Sequence, residues 1–133
     1  MNLSFCKFGD KEEFLQYLTK TNMILCKRNY ISRYNSIYGL LDENHHLAAA
    51  CVIDDSNIKR PFIKLFEVSP DYSRKGIGTR LFNNIKDWYK DFNYFTTFEL
   101  ESLDDESDAF WKHLGFKPFE NEDGEIIYKL AIC

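Results

Sequence analysis

Seven consecutive residues, Ser73-Arg74-Lys75-Gly76-Ile77-Gly78-Thr79, bring two glycines and two cations together. Glycine lacks a Cβ, so the chain there can turn sharply and lie close to a ligand. Directly afterwards Leu81, Phe82, Ile85 and Trp88 recur at helical spacing. A helix mouth with free N–H groups, preceded by glycines and flanked by Arg74, Lys75 and Arg80, is a ready anion site. The chemistry it supports is the holding of a pyrophosphate. Upstream, Ile63, Leu65 and Val68, with Phe62 and Phe66 between them, form a run apolar on both sides. That pattern suits a strand covered on both faces, and Pro70-Asp71 ends it. Glu67 is the only carboxylate on this strand.

The elements that must position this unit follow from the rest of the chain. Leu3, Phe5 and Phe8 alternate with polar residues as a first strand ending at Gly9. Asp10 followed by Glu13 forms a capping box for a helix with Phe14, Tyr17 and Leu18 on one face. Thr21 to Tyr34 reads as a second helix, on which Tyr30, Arg33 and Tyr34 either line a pocket or serve packing and display. Ile37 to Leu41 and Leu47 to Ile53 form a hairpin, with His45 and His46 exposed at its tip. Tyr94 to Leu100 is a β-rich run. Asp104, Asp105, Glu106 and Asp108 then favour the start of a helix carrying Phe110, Trp111 and Leu114 and stopped by Gly115. Lys117 to Glu120 and Glu125 to Ile132 close the chain as a hairpin.

Composition narrows the classes. A chain of 133 residues, 44% of them hydrophobic, fits one globular domain, 1–133. The formal charge of -4 argues against a broad nucleic-acid face. No apolar run approaches the roughly 20 residues that cross a bilayer, and the N-terminus carries no signal-peptide pattern. Cys6, Cys26, Cys51 and Cys133 are scattered, which fits reduced thiols in a cytoplasmic setting. The three histidines and four cysteines show no metal spacing.

The run VSPDYSRKGIGTRLF resembles the acyl-CoA-binding signature of the GNAT acetyltransferases, Gln/Arg-x-x-Gly-x-Gly/Ala between a strand and a helix. DAFWKHLGFKPF resembles the family's second signature, which ends in Gly-Phe, here Gly115-Phe116. The resemblance implies an α/β (α+β) fold with a mixed, mostly antiparallel central sheet and helices on both faces. It also implies transfer of an acyl group, taken as acetyl, from acetyl-CoA to a primary amine, without a covalent enzyme intermediate. On this reading Ser73, Arg74, Lys75, Gly76, Ile77, Gly78 and Thr79 hold the pyrophosphate. Phe66, Glu67 and Val68 run beside the pantetheine arm, the Val68 N–H polarises the thioester carbonyl, and Trp111 lies next to the cofactor. Glu67 is the first candidate base, its alternative being a surface or ion-paired carboxylate; Glu99 on the next strand is the second.

Three positions depart from the family pattern: Ser73 replaces Gln or Arg, Asp104 replaces an Asn, and Trp111 replaces the Tyr often used as the acid toward sulfur. An indole N–H donates a hydrogen bond but no proton at neutral pH. The departing thiol has a pKa of about 8.5, so losing that acid leaves a slow enzyme possible. The acceptor is then a small molecule or a peptide amine, with no nucleic acid or membrane involved and a homodimer among the assemblies left open. A rival reading keeps the fold and the acyl-CoA site but does little or no chemistry, as a sensor or partner-binding module.

Overall fold

The computed structural model describes residues 2–72, 76–92 and 96–132. Seven strands form one sheet: β1 (Ser4–Lys7), β2 (Ser36–Leu41), β3 (Leu47–Asp54), β4 (Phe62–Val68), β5 (Thr96–Leu100), β6 (Lys117–Glu120) and β7 (Ile126–Ile132). Their spatial order is β1-β2-β3-β4-β5-β7-β6. Every neighbouring pair is antiparallel except β4 and β5, which run parallel. Parallel strands need a crossover, and α3 (Ile77–Phe92) supplies it.

Helices cover both faces. On one side α1 (Lys11–Leu18), α2 (Leu25–Arg28) and the segment between them bury Phe14, Leu18, Met23 and Cys26 against Ile37, Leu47, Ala50, Val52 and Leu65. On the other, α3 sets Leu81, Phe82, Ile85 and Tyr89 against Tyr38, Cys51 and Phe98, and α4 (Asp105–His113) adds Trp111. A hydroxyl network ties this side together, with Tyr38 donating to Tyr89 at 3.1 Å and Tyr89 to Asp55 at 3.1 Å. Burial pushes the Tyr38 hydroxyl up to about 12. The expected mostly antiparallel sheet with helices on both faces is what the chain forms.

The capping box read from the sequence takes its place, and Asp104 and Asp42 add caps of their own. Asp10 accepts from the Glu13 N–H at 2.8 Å, while the Glu13 carboxylate reaches back to the Gly9 N–H at 3.0 Å. Asp104 accepts from the Ser107 N–H at 2.8 Å and begins α4. The Asp42 carboxylate takes the N–H groups of Asn44 and His46, closing the β2–β3 hairpin with both histidines exposed.

Two boundaries differ from expectation. The helix expected over Thr21 to Tyr34 is a single turn, Leu25–Arg28. Polar side chains divert the backbone on either side of it. Thr21 Oγ1 accepts from the Met23 N–H, Asn29 returns its amide to the Leu25 carbonyl, and Ser32 gives its N–H to Asn35 Oδ1. The central helix begins at Ile77 rather than Thr79, because the Arg80 N–H already bonds the Gly76 carbonyl. Of the strand expected over Tyr94 to Leu100, residues 94 and 95 lie outside the described residues.

Candidate active site

β4 and β5 touch only briefly. Phe62 faces Glu99 and Ile63 faces Leu100, and there the parallel pairing stops. The cause is local to β4: Ile53 pairs with Ile63 but Val52 with Leu65, so Lys64 is an extra residue. Such a bulge bends its strand and disrupts the ladder. Past it β4 leaves β5, and a cleft of about 780 Å³ opens between them. Its walls are the end of β4, the mouth of α3, the start of α4 and the inner side of α2.

The ladder fixes which backbone groups face this cleft. Ser69 donates its N–H to the opposite carbonyl of Ala48 on β3, at 2.8 Å. In an antiparallel pair hydrogen-bonded positions alternate, so Glu67 and Leu65 also aim their N–H groups at β3. The N–H groups of Phe66 and Val68 therefore aim the other way, toward the side on which β5 has departed. Both residues line the cleft.

At the far end of β4 a turn of 3₁₀ helix, Pro70–Tyr72, leads toward α3. Ser73, Arg74 and Lys75 lie outside the described residues. Gly76 has φ +70°, and a Cβ there would meet nothing within 4 Å. The conformation, not crowding, requires glycine. The first N–H groups of α3, those of Ile77, Gly78 and Thr79, sit at the cleft wall where a helix leaves its donors unused by its own turns.

At Gly78 crowding, not conformation, requires glycine. A Cβ at this position would lie 3.1 Å from the Phe110 ring and 3.4 Å from Phe66, so aromatic rings of α4 and β4 occupy the space a side chain would need while Gly78 still lines the cleft. Arg80 differs from its expected place among the phosphate-binding cations. Its guanidinium donates to the Leu3 carbonyl at 3.1 Å, tying α3 to the chain just before β1.

Trp111 lies both in the core and on the cleft. It is 5% exposed, and its ring stands edge-on to Phe66 at 5.0 Å, Phe110 at 4.9 Å and Phe116 at 5.1 Å between centroids. Tyr72, on the opposite wall, gives its hydroxyl proton to Asp42. That hydrogen bond pushes the Tyr72 hydroxyl up to about 12 and holds the Asp42 carboxyl below the usual range. Tyr72 is thus a donor already committed to the hairpin tip.

The two carboxylates expected near the chemistry are both engaged elsewhere. Glu67 points its side chain to the α2 side of the sheet and does not line the cleft. Its Oε2 accepts from the N–H groups of Ile24 at 2.7 Å and Leu25 at 3.0 Å, and its Oε1 from Cys26 at 2.9 Å. Glu99 pairs with Arg60, whose Nε lies 2.7 Å from Oε2. Sequence reasoning had no signal for the first contact, which joins residues 41 to 43 apart. It also passed over Leu25 and Asn29, which form the α2 wall, and Glu101, which lines the cleft directly after β5. Glu101 could have been found from one rule: ligand clefts open beyond the carboxyl ends of parallel strands.

The chain belongs to the acetyltransferase (GNAT) family, whose family model matches residues 6–116. Solved structures share the fold at low identity. GCN5 from Tetrahymena superposes with a TM-score of 0.74 at 15% identity, over 100% of this chain and 97% of that one. The ribosomal-protein-S18-alanine N-acetyltransferase from Escherichia coli gives 0.66 at 15%, over 98% and 93%. The PaiA N-acetyltransferase from Thermoplasma acidophilum, in complex with coenzyme A, gives 0.64 at 15%, over 92% and 71%. No curated protein matches the chain in sequence. Among the described residues no helix is long and apolar enough to cross a membrane, and no group of side chains could hold a metal ion.

Proposed function

We propose that this protein transfers an acyl group, taken as acetyl, from its coenzyme A thioester to the primary amine of a small molecule or peptide. The observation that carries the reading is the opened β4–β5 seam with the N–H groups of Phe66 and Val68 aimed into it and the mouth of α3 at its end. These groups fit the ligand. Backbone donors at a helix start suit a pyrophosphate, an open Gly76 leaves room for it, and an unpaired strand edge suits an amide-bearing arm.

A bound CoA thioester would supply an activated acyl carbonyl. The chain's own groups do the rest. The N–H groups of Ile77, Gly78 and Thr79 hold the phosphates, with Ser73, Arg74 and Lys75 adjoining them in sequence. The Val68 N–H donates to the carbonyl oxygen as negative charge grows there, and one such donor is worth roughly 3–4 kcal/mol in acyl transfer. Trp111 and Phe66 keep water from this end of the cleft. A neutral amine would enter past Leu25 and Asn29. Its nitrogen would bond the acyl carbon, and the carbon–sulfur bond would break with CoA leaving as the thiolate. The proton lost by the amine would pass through solvent, from which the thiolate is protonated. Cys26 offers no competing nucleophile, since burial, with Glu67 nearby, pushes its thiol up. The described cysteines, Cys6, Cys26 and Cys51, are free thiols, which supports a cytoplasmic setting.

A second reading, an acyl-CoA-binding module with little or no turnover, is favoured by one specific set of contacts. Trp111 stands where the family often has a phenol, and Glu67 and Glu99 are both tied up. Release of CoA from acetyl-CoA across a panel of amines, measured beside CoA binding by calorimetry, separates the two. Amine-dependent release is expected for the enzyme; tight CoA binding with no release above the water rate would overturn it.

A further inference from the structure

Glu67 and Val68 are consecutive on β4 and face opposite ways. The Val68 N–H aims into the cleft, while the Glu67 carboxylate holds the backbone N–H groups of Ile24, Leu25 and Cys26 on the other side of the sheet. Those three amides begin α2, and Leu25 of α2 and Asn29, which caps its end, form one wall of the cleft. Ile24, at the cap position, makes no side-chain capping bond of its own. Both carboxylate oxygens of Glu67 thus supply from a distant strand what the local sequence does not. A helical turn of four residues, with only Cys26 buried, cannot stand by its own propensity, because helix nucleation is unfavourable at that length.

We propose that Glu67 is a positioning residue, not a base: it fixes the α2 wall in register with the Val68 N–H one residue away. The proposal rests on the acyl-transfer reading. The amine is presented by the α2 wall and the carbonyl is held by Val68, so one strand position sets the distance between the reacting atoms. A misplacement of about 1 Å in such an arrangement can cost about a hundredfold in rate. The carboxylate suits this work because charge-assisted bonds to N–H groups are stronger than neutral ones. A base would need a lone pair presented to the amine inside the cleft, and neither Glu67 oxygen lies on its lining.

Glu67→Gln and Glu67→Ala decide the matter through three readouts. Amide hydrogen exchange at Ile24, Leu25 and Cys26 is expected to quicken by roughly tenfold in the Gln variant, which keeps one acceptor oxygen, and by more in the Ala variant. CoA affinity by calorimetry is expected to stay within about twofold of wild type, since the phosphate-holding amides lie on α3. In CoA-release kinetics with the fastest amine of the panel, kcat/KM for the amine is expected to fall through both a lower kcat and a higher KM, less for Gln than for Ala, with the shape of the pH–rate curve kept. Unchanged exchange at the three amides would overturn the proposal. So would Gln and Ala variants equally slowed, with wild-type amine KM and a lost acidic limb, which would make Glu67 the base. Should the wild type acylate no amine at all, the acyl-transfer reading fails instead, and the exchange result alone shows whether Glu67 holds α2.

Discussion

Gly76→Ala separates the part of the turn that folds from the part that binds. At φ +70° an alanine pays a left-handed strain of about 1–2 kcal/mol, since its Cβ crowds the following carbonyl. Against that, losing glycine's freedom in the unfolded chain returns about 0.4–1 kcal/mol. The net is about 1 kcal/mol of destabilisation. At about 2.1 cal/mol/K per residue, unfolding 133 residues carries an entropy of about 0.28 kcal/mol/K, so Tm falls by about 3–4 °C. The new methyl meets no protein atom within 4 Å; it projects into open space at the mouth of α3. If a phosphate occupies that space, one charge-assisted contact is lost, roughly 1.5–3 kcal/mol or about 10- to 100-fold in CoA affinity. Gly124→Ala is the control. Its φ is +81° in the β6–β7 hairpin, so it should lose similar stability and no affinity. Scanning calorimetry gives Tm and titration calorimetry gives Kd. Equal CoA affinity in the two variants would refute the assignment of the α3 mouth; an unchanged Tm for Gly76→Ala would refute the left-handed conformation.

Two further outcomes follow from contacts already described. In Tyr72→Phe the bond to Asp42 is lost. The Asp42 carboxyl is depressed in the fold, so its contribution is present above the unfolded value of about 3.9 and disappears as pH falls through the folded one. Tyr72 is raised to about 12, so its contribution is present below about 10 and disappears as pH rises through about 12. The variant's stability deficit by urea titration should therefore be full at pH 7 and shrink as pH falls below the unfolded carboxyl value of about 3.9; an equal deficit at pH 7 and in acid would contradict the pairing. Arg80→Ala should leave CoA affinity within about twofold while lowering Tm slightly, because its guanidinium holds the Leu3 carbonyl. A tenfold weaker complex would return Arg80 to the phosphate site.

Much of the molecule could be read before it was seen. The strand from Phe62, the helix that follows it, the Asp10 cap and both hairpins are encoded within a few residues each, where periodicity and capping chemistry act. What escaped were the contacts between distant segments. The Lys64 bulge needs β3 for its definition, the Gly78 backbone is explained only by the Phe110 ring from α4, and α2 is shortened by its own flanking polar side chains while anchored by Glu67. Glu67 shows the reason most plainly. From sequence it is a lone carboxylate on an apolar strand, and a base is a fair reading. Only its partners reveal a cap.

The central claim is that amides at the α3 mouth and on the open edge of β4 receive coenzyme A. Backbone amide NMR during titration with CoA tests it directly. The claim requires the largest shifts at Phe66, Val68, Ile77, Gly78 and Thr79, with the β6–β7 hairpin unmoved. Binding that leaves those five amides in place, or no binding at all, would contradict it.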